Sequence, residues 1–219
     1  MLASQLLNNS YPTLGLTDKA SLALQYMDEF DVRHLPVLAD AKFLGLVSKE
    51  DLQDSDEEAT LGELIDILIK KSVRADDYFF SVLKLSVASN LSIVPVVDEV
   101  GELIGSISEA GLVEYAARFI GVDEPGAVIV LEMERKNYSF GELSRLVETN
   151  DAYITQLNTS FDNDTGLIEV TIKINKLEVS DIIATFQRYE YVVKSFIGEE
   201  EYENELKHNF DHLMSYLKM

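Results

Sequence analysis

The chain has 219 residues, 47% of them hydrophobic, which is enough to build one large domain or two smaller ones without disulfides. Its 39 acidic residues outnumber the 18 basic ones and give a formal net charge of -21. This charge excludes nucleic acids and anionic membranes as expected partners, because both require a cationic surface that neutralises phosphate. The absence of cysteine excludes disulfide scaffolds, thiolate metal sites and cysteine nucleophiles.

The amino-terminal stretch MLASQLLNNS lacks the basic region and apolar core of a signal peptide. No run of about eighteen apolar residues, the length that crosses a membrane as a helix, occurs in the sequence. We therefore expect a soluble, cytoplasmic protein.

One pattern occurs twice in the first half of the chain. RHLPVLADAKFLGLVSKEDL begins at Arg33, and SIVPVVDEVGELIGSISEAGL begins at Ser92. Pro36 aligns with Pro95, and the one extra residue of the second copy falls in the polar turn. A short extended segment and an apolar-periodic helix precede each copy. The sequence therefore predicts two units, about 1–55 and 60–120, each built as strand, helix, strand, strand, helix.

Polar residues mark the predicted helix starts in both units. Thr17 or Asp18 is the expected N-cap in the first unit, and Asp76 and Asp77 precede the helix of the second. The connecting segment QDSDEEATLGELIDILIKK is predicted to contain a helix with an apolar face. That face consists of Leu61, Leu64, Ile65 and Leu68.

A second domain is predicted after the glycine- and proline-containing segment GVDEPGA, residues 121–127. The following elements read strand, helix capped by Ser139, strand, strand, helix, strand, over residues 126–198. This βαββαβ order is typical of a ferredoxin-like fold with an antiparallel sheet. Residues 199–219 are predicted to form an amphipathic C-terminal helix, because apolar residues recur every three or four positions.

The two repeated stretches resemble cystathionine-β-synthase (CBS) domains, which occur in tandem as a pseudo-symmetric pair called a Bateman module. The second domain is similar to ACT-type regulatory domains in its element order. Together these resemblances imply an α+β fold: a CBS pair over residues 1–120, a ferredoxin-like ACT-like domain and a C-terminal helix. They imply a regulatory protein, not an enzyme, whose possible ligand is ATP, ADP, AMP or an adenosyl compound.

In the CBS family, the segment Gly, two residues, Ser/Thr, two residues, Asp lies where a strand enters a helix. The resemblance assigns these roles to Ser48 and Asp51. A carboxylate can accept hydrogen bonds from both ribose hydroxyls, while the serine and nearby backbone N–H groups face phosphate. The structural alternative is that Ser48 and Asp51 only cap the helix.

The resemblance implies further ligand contacts in the first unit. Leu14, Gly15 and Leu16 lie where family members place backbone against adenine. Arg33 and His34 precede the first buried strand, where their side chains either reach a phosphate or form a solvated rim.

The second unit keeps the serine, Ser108, but has Gly111 in place of the aspartate. Its ribose anchor is therefore absent, and we expect one strongly bound nucleotide per chain. Arg74 is a candidate phosphate partner, with an ion pair to Asp76 or Asp77 as the alternative.

Other chemistry is not expected. His208 and His212 lie one helical turn apart, but the sequence offers no third ligand, so no metal site is predicted. No Ser-His-Asp order, P-loop or dinucleotide fingerprint occurs. ACT domains that bind an amino acid usually place glycine where the first helix begins, and bulkier residues of ERKNYSFGEL occupy that position here.

Two function hypotheses follow. The first is a sensor that binds an adenine nucleotide or adenosyl compound and acts on a protein target. The second is a dimerisation or interaction scaffold whose CBS pair has lost its ligand. A homodimer is expected in both, because the stretches LALQYM and FSVLKLSV supply more apolar surface than one monomer needs.

Overall fold

The structure, a computed structural model, describes residues 1–8 and 10–198. The chain divides into two compact units, the first Met1–Ala116 and the second from Ala117 onward. The predicted C-terminal helix and the pair His208 and His212 lie outside the described residues. No helix within the described ranges is long and apolar enough to cross a membrane.

The first unit contains the predicted order of elements twice. The first copy consists of β1 (Leu14–Gly15), α1 (Ala20–Glu29), β2 (His34–Ala39), β3 (Lys42–Ser48) and α2 (Lys49–Gln53). The second copy consists of β4 (Val73–Arg74), α3 (Phe79–Ser89), β5 (Ile93–Val97), β6 (Leu103–Ser108) and α4 (Glu109–Phe119). The predicted strand, helix, strand, strand, helix order is therefore confirmed.

Each copy forms a three-stranded sheet. β1 runs parallel to β2 and β2 antiparallel to β3, and β4, β5 and β6 repeat this arrangement. Four consecutive residues are buried at the start of β2 and again at the start of β5, so both faces of these strands are covered. This burial explains why LPVL and VPVV are continuously apolar rather than alternating. Both copies contribute to one hydrophobic core.

The segment before each copy packs on the other copy. We name residues 1–8 the first crossing segment and residues 57–69 the second crossing segment. In the first, the N–H of Ala3 donates to the carbonyl of Asp77 at 2.8 Å. In the second, the N–H of Leu61 donates to the carbonyl of Asp18 at 2.9 Å. Further along the two crossing segments, the N–H of Asn8 donates to the carbonyl of Ser106, and the N–H of Ile69 donates to the carbonyl of Leu46.

The predicted connecting helix is wrong. The second crossing segment consists of turns and one 3-10 helix, Ile65–Ile67. Its backbone N–H groups at Leu61 and Ile69 bind the first copy and not a preceding helical turn. Leu61 and Leu68 are buried, as the apolar face predicted, whereas Ile65 is exposed. Tertiary hydrogen bonds have overridden a weak local helix preference.

The predicted N-cap of α1, Thr17 or Asp18, is also wrong. The N-cap residues are Lys19 and Tyr78, and neither makes a side-chain capping hydrogen bond. The carboxylate of Asp18 accepts instead from the N–H of Gly15 at 2.7 Å. The carboxylate of Asp77 accepts in the same way from the N–H of Arg74 at 2.8 Å. These acids close the turn between strand and helix, a competing local use of aspartate.

The second unit contains a four-stranded antiparallel sheet in the order β10, β7, β9, β8. Its elements are β7 (Val128–Glu134), a 3-10 helix (Arg135–Asn137), α5 (Phe140–Glu148), β8 (Ile154–Phe161), β9 (Leu167–Ile174), α6 (Ser180–Arg188) and β10 (Val192–Ile197). This confirms the predicted ferredoxin-like βαββαβ order. Ser139 is the N-cap of α5, as predicted, and its hydroxyl accepts from the N–H of Glu142 at 3.4 Å.

Candidate functional site

A cleft of about 580 Å³ lies in the first unit, beside the start of α2. It brings together four of the predicted site residues, Arg33, His34, Ser48 and Asp51. Its other lining residues come from α2, the second crossing segment and the end of α3. They are Lys49, Glu50, Gln53, Ile69, Ser89 and Asn90.

Local chain geometry places the four side chains together. His34 begins β2 and lies opposite Ser48, the last residue of β3, in the antiparallel ladder. Ser48 is also the N-cap of α2, so Asp51 follows in the first turn of the helix. The N–H of Lys49 donates to the carbonyl of Arg33 at 2.8 Å, which fixes the start of α2 beside β2.

Ser48 and Asp51 bond to each other in the capping arrangement. The Ser48 hydroxyl accepts from the N–H of Asp51 at 3.1 Å and donates to Asp51 Oδ2 at 2.5 Å. A carboxylate offers about four acceptor positions, so this one bond leaves Asp51 able to accept ligand hydroxyls as well. Capping and ligand binding are therefore compatible.

His34 joins the two copies at the floor of the cleft. His34 is only 7% exposed, and its Nδ1 lies 3.2 Å from both the backbone nitrogen and the hydroxyl oxygen of Ser92. Burial lowers the pKa of His34 below its ordinary value, Arg33 lowers it further, and Asp51 opposes the shift. The ring is therefore neutral at neutral pH, with Nδ1 accepting the Ser92 N–H.

The guanidinium of Arg33 is held by residues of the second copy. Its Nη2 lies 3.4 Å from Asn90 Oδ1 and 3.4 Å from Glu109 Oε2, while its backbone N–H donates to the Ser92 hydroxyl at 2.9 Å. Sequence reasoning missed Asn90, Glu109 and Ser92 as site residues. Asn90 carried a local signal, because it follows a helix in the left-handed conformation that asparagine tolerates.

Two lysines add positive charge near the cleft. Lys49, a lining residue, forms an ion pair with Asp28. Lys71 Nζ donates to the hydroxyl of Ser89 at 2.9 Å, and Ser89 lines the cleft. The cleft lining also contains Glu50 and Asp51, so it carries charges of both signs.

The other predicted site residues are not among the described residues that line this cleft; they are Leu14, Gly15, Leu16, Arg74 and Ser108. Leu14 is buried and pairs with Val37 in the β1–β2 ladder. Arg74 forms the ion pair considered as its alternative, with Nε 3.2 Å from Asp76 Oδ1. Ser108 is buried, and its hydroxyl accepts from the N–H of Gly111 at 3.1 Å.

Equivalent positions in the second copy carry different side chains. The N–H of Glu109 donates to the carbonyl of Ser92 at 2.9 Å, as that of Lys49 does to Arg33. Ser92 and Glu109 therefore stand where the first copy has an arginine and a lysine. Gly111 stands where the first copy has Asp51, so the second copy lacks both the carboxylate and these two cations.

Comparison with known proteins identifies the repeated unit. The sequence model of the CBS domain matches residues 3–55 and 56–118, more than half of the chain. The chain belongs to the CBS-domain family. The predicted resemblance to a tandem CBS pair is thereby confirmed.

Solved structures of CBS proteins match slightly more than half of the chain. A CBS domain pair/ACT domain protein from Thermotoga maritima is 23% identical with a TM-score of 0.51, covering 55% of this chain and 99% of that one. An acetoin utilization protein from Vibrio cholerae is 25% identical with a TM-score of 0.48, covering 57% and 96%. CBSX2 in complex with AMP is 21% identical with a TM-score of 0.47, covering 54% and 97%. The likeness to the Thermotoga maritima protein shows that the matched 55% of this chain shares the fold of that protein.

Metal-ligating side chains do not gather in the described part of the chain. Among residues 1–8 and 10–198, no group of three or more histidines, cysteines, aspartates or glutamates is placed to hold a metal ion.

Proposed function

We propose that this protein is a regulatory sensor whose CBS pair binds one adenine nucleotide or adenosyl compound in the cleft of Ser48 and Asp51. The observation that carries the proposal is the Asp51 carboxylate, which lines a 580 Å³ cleft together with Arg33. A regulatory role without catalysis is what membership of the CBS family implies. We also propose that the ligand-bound protein acts on a protein target.

The size of the cleft supports a small-molecule ligand. Ligand sites typically have volumes of about 300–1,000 Å³ and combine apolar walls with a few well-placed polar groups. At about 580 Å³, this cleft has room for a nucleoside with a phosphate group. Ile69 supplies an apolar wall, and Ser89 and Asn90 supply polar groups from the second copy.

The polar groups of the cleft match the two ends of a nucleotide. The Asp51 carboxylate can accept hydrogen bonds from the ribose hydroxyls, an interaction with a charged group that is worth about 1.5–3 kcal/mol. The half-exposed Arg33 guanidinium offers a planar set of donors that fits a phosphate. Leu14, Gly15, Leu16, Arg74 and Ser108 remain proposed contacts on the family resemblance alone.

A panel of ligands tests the proposal by thermal shift. ATP, ADP, AMP, adenosine and S-adenosyl compounds are each added in large excess to the full chain. A ligand at a hundred times its Kd adds about 2.7 kcal/mol to the free energy of unfolding, which raises Tm by several degrees. We expect at least one compound to produce this shift. A panel without any response would contradict the sensor and favour the ligand-free scaffold.

A further inference from the structure

The chain segments that enter β2 and β5 meet at the floor of the cleft. The backbone N–H of Ser92 donates to Nδ1 of His34 at 3.2 Å, and the backbone N–H of Arg33 donates to the Ser92 hydroxyl at 2.9 Å. His34 and Ser92 are both buried. Each copy therefore supplies a backbone N–H whose acceptor is a side chain of the other copy.

The bond between Ser92 and His34 depends on the protonation state of the imidazole. Nδ1 accepts a hydrogen bond only while the ring is neutral, because a protonated imidazole carries a hydrogen on both nitrogens. A protonated Nδ1 can still donate to Ser92 Oγ, 3.2 Å away. The buried Ser92 N–H is then left without its acceptor, which is unfavourable away from water.

Charged groups of both signs lie around His34 and the cleft that it lines. They come from α1, α2, α4, the residue before β2 and the segment before β4, and they are Asp28, Arg33, Lys49, Glu50, Asp51, Lys71 and Glu109. Burial is the largest influence on the pKa of His34 and lowers it, Arg33 lowers it further, and Asp51 raises it. The fold itself therefore favours the neutral ring.

The second copy has an apolar residue at the equivalent position. His34 lies opposite Ser48 in the first antiparallel ladder, and Ile93 lies opposite Ser108 in the second. The contact that depends on protonation thus belongs to the cleft of Asp51, whose lining combines residues of both copies.

We propose that His34 is a proton switch, which in its neutral form holds the two copies together around the cleft and on protonation loosens their contact and weakens ligand binding. The effect on the ligand rests on the proposed function, whereas the loosened contact requires no ligand. The pKa of His34 is lowered from 6.5, so the free protein takes up the proton below that pH and ligand binding must release it. Affinity therefore falls as the pH drops below 6.5, by at most about tenfold per pH unit for one proton.

An NMR titration of the full chain tests the switch without a ligand. The ring signals of His34 should report protonation with a midpoint below 6.5, and the amide signal of Ser92 should shift with the same midpoint as its N–H loses the acceptor. A Ser92 amide signal that stays constant while His34 titrates would overturn the proposal, as would a midpoint at or above 6.5.

Titration calorimetry tests the link to the ligand with the best compound of the thermal-shift panel. His34→Asn keeps an acceptor for the Ser92 N–H at every pH, because the Asn side chain has a carbonyl oxygen and does not titrate. Between about pH 7.5 and about pH 5.5, the parent should lose about three- to tenfold more affinity than this variant. Protons taken up by the ligand itself are common to both proteins and cancel in the comparison.

His208→Asn is the matched control, since it makes the same substitution at another of the three histidines. This variant should lose affinity in acid as the parent does. Equal losses in the parent and in His34→Asn would overturn the link between the switch and the ligand. If the parent binds no compound of the panel, the proposed function fails, and the NMR titration still decides whether His34 is a switch.

Discussion

The N–H groups of Asp51 and Gly111 each donate to the hydroxyl of the serine three residues earlier, at 3.1 Å in both copies. The turn from strand to helix therefore forms with or without a carboxylate at this position. Helix capping needs Ser48 and Ser108 but not the side chain of Asp51. This difference between the copies supports a binding role for Asp51 and one occupied cleft per chain.

Gly111→Asp should restore the carboxylate without creating a second site. Ser92 and Glu109 would still replace the arginine and lysine of the first copy, and Glu109 would repel a phosphate. The new Cβ would lie 3.2 Å from Ser108 Oγ, so that hydroxyl must shift slightly. Calorimetry should still give one site per chain. Two equal sites in this variant would show that the acid alone decides binding.

The pH dependence of stability should reveal buried His34. Its pKa in the folded protein is lowered from 6.5 by burial and by Arg33, despite Asp51. The unfolded chain therefore takes up the proton first, and the free energy of unfolding falls as pH drops below about 6.5, by at most about 1.4 kcal/mol per pH unit. The loss levels off below the folded pKa, and above 6.5 both states are neutral.

His34→Asn is the comparison for this measurement, because its Oδ1 can accept the Ser92 N–H and does not titrate. Denaturant unfolding at a series of pH values should give a shallower acid loss for this variant than for the parent. The other histidines and the carboxylates are shared and cancel in the difference. Curves that stay parallel down to pH 5 would mean that His34 is not buried in its neutral form.

Gly45→Ala should destabilise the first unit. A Cβ at this position would lie 2.8 Å from Leu68 Cβ and 3.2 Å from the carbonyl oxygen of Ile69, both in the second crossing segment. Overpacking of this kind costs about 1–3 kcal/mol. Gly141→Ala is the control, since nothing lies within 4 Å of its new methyl group. Urea unfolding should show a loss for Gly45→Ala alone, and equal midpoints would contradict the packing described.

The homodimer remains a prediction from the sequence. Exposed apolar side chains on α3 and α4, such as Val87 and Val113, agree with it, being 74% and 65% exposed. Light scattering at micromolar concentration should give twice the chain mass of 24.6 kDa. A mass of one chain would count directly against the dimer.

Local sequence signals predicted the elements that depend on local interactions. Helical periodicity, the apolar strands around Pro36 and Pro95, and the Ser139 cap all reappear in the structure. The predicted domain bounds, 1–120 and 126–198, remain predictions. The compact units divide the chain between Ala116 and Ala117, and the CBS family match ends at residue 118. The position of Asp51 followed from the family motif.

Contacts between the copies could not be predicted in the same way. The second crossing segment has a helical apolar pattern, yet Leu61 and Ile69 bond to the first copy. Asn90, Ser92 and Glu109 contact Arg33 because the two copies pack together. They lie 57, 59 and 76 residues from Arg33 along the chain. A single sequence does not encode such pairings in any short window.

We propose that each chain holds one adenine-ligand site, anchored by Asp51. Titration calorimetry of the parent and of Asp51→Ala with the best ligand of the thermal-shift panel tests it most directly. Asp66→Ala, which removes an exposed acid outside the cleft lining, is the control and should bind like the parent. We expect one site per chain and binding about ten- to a hundredfold weaker in Asp51→Ala, with unchanged folding. Two equal sites, or an Asp51→Ala variant that binds as tightly as the parent, would contradict it.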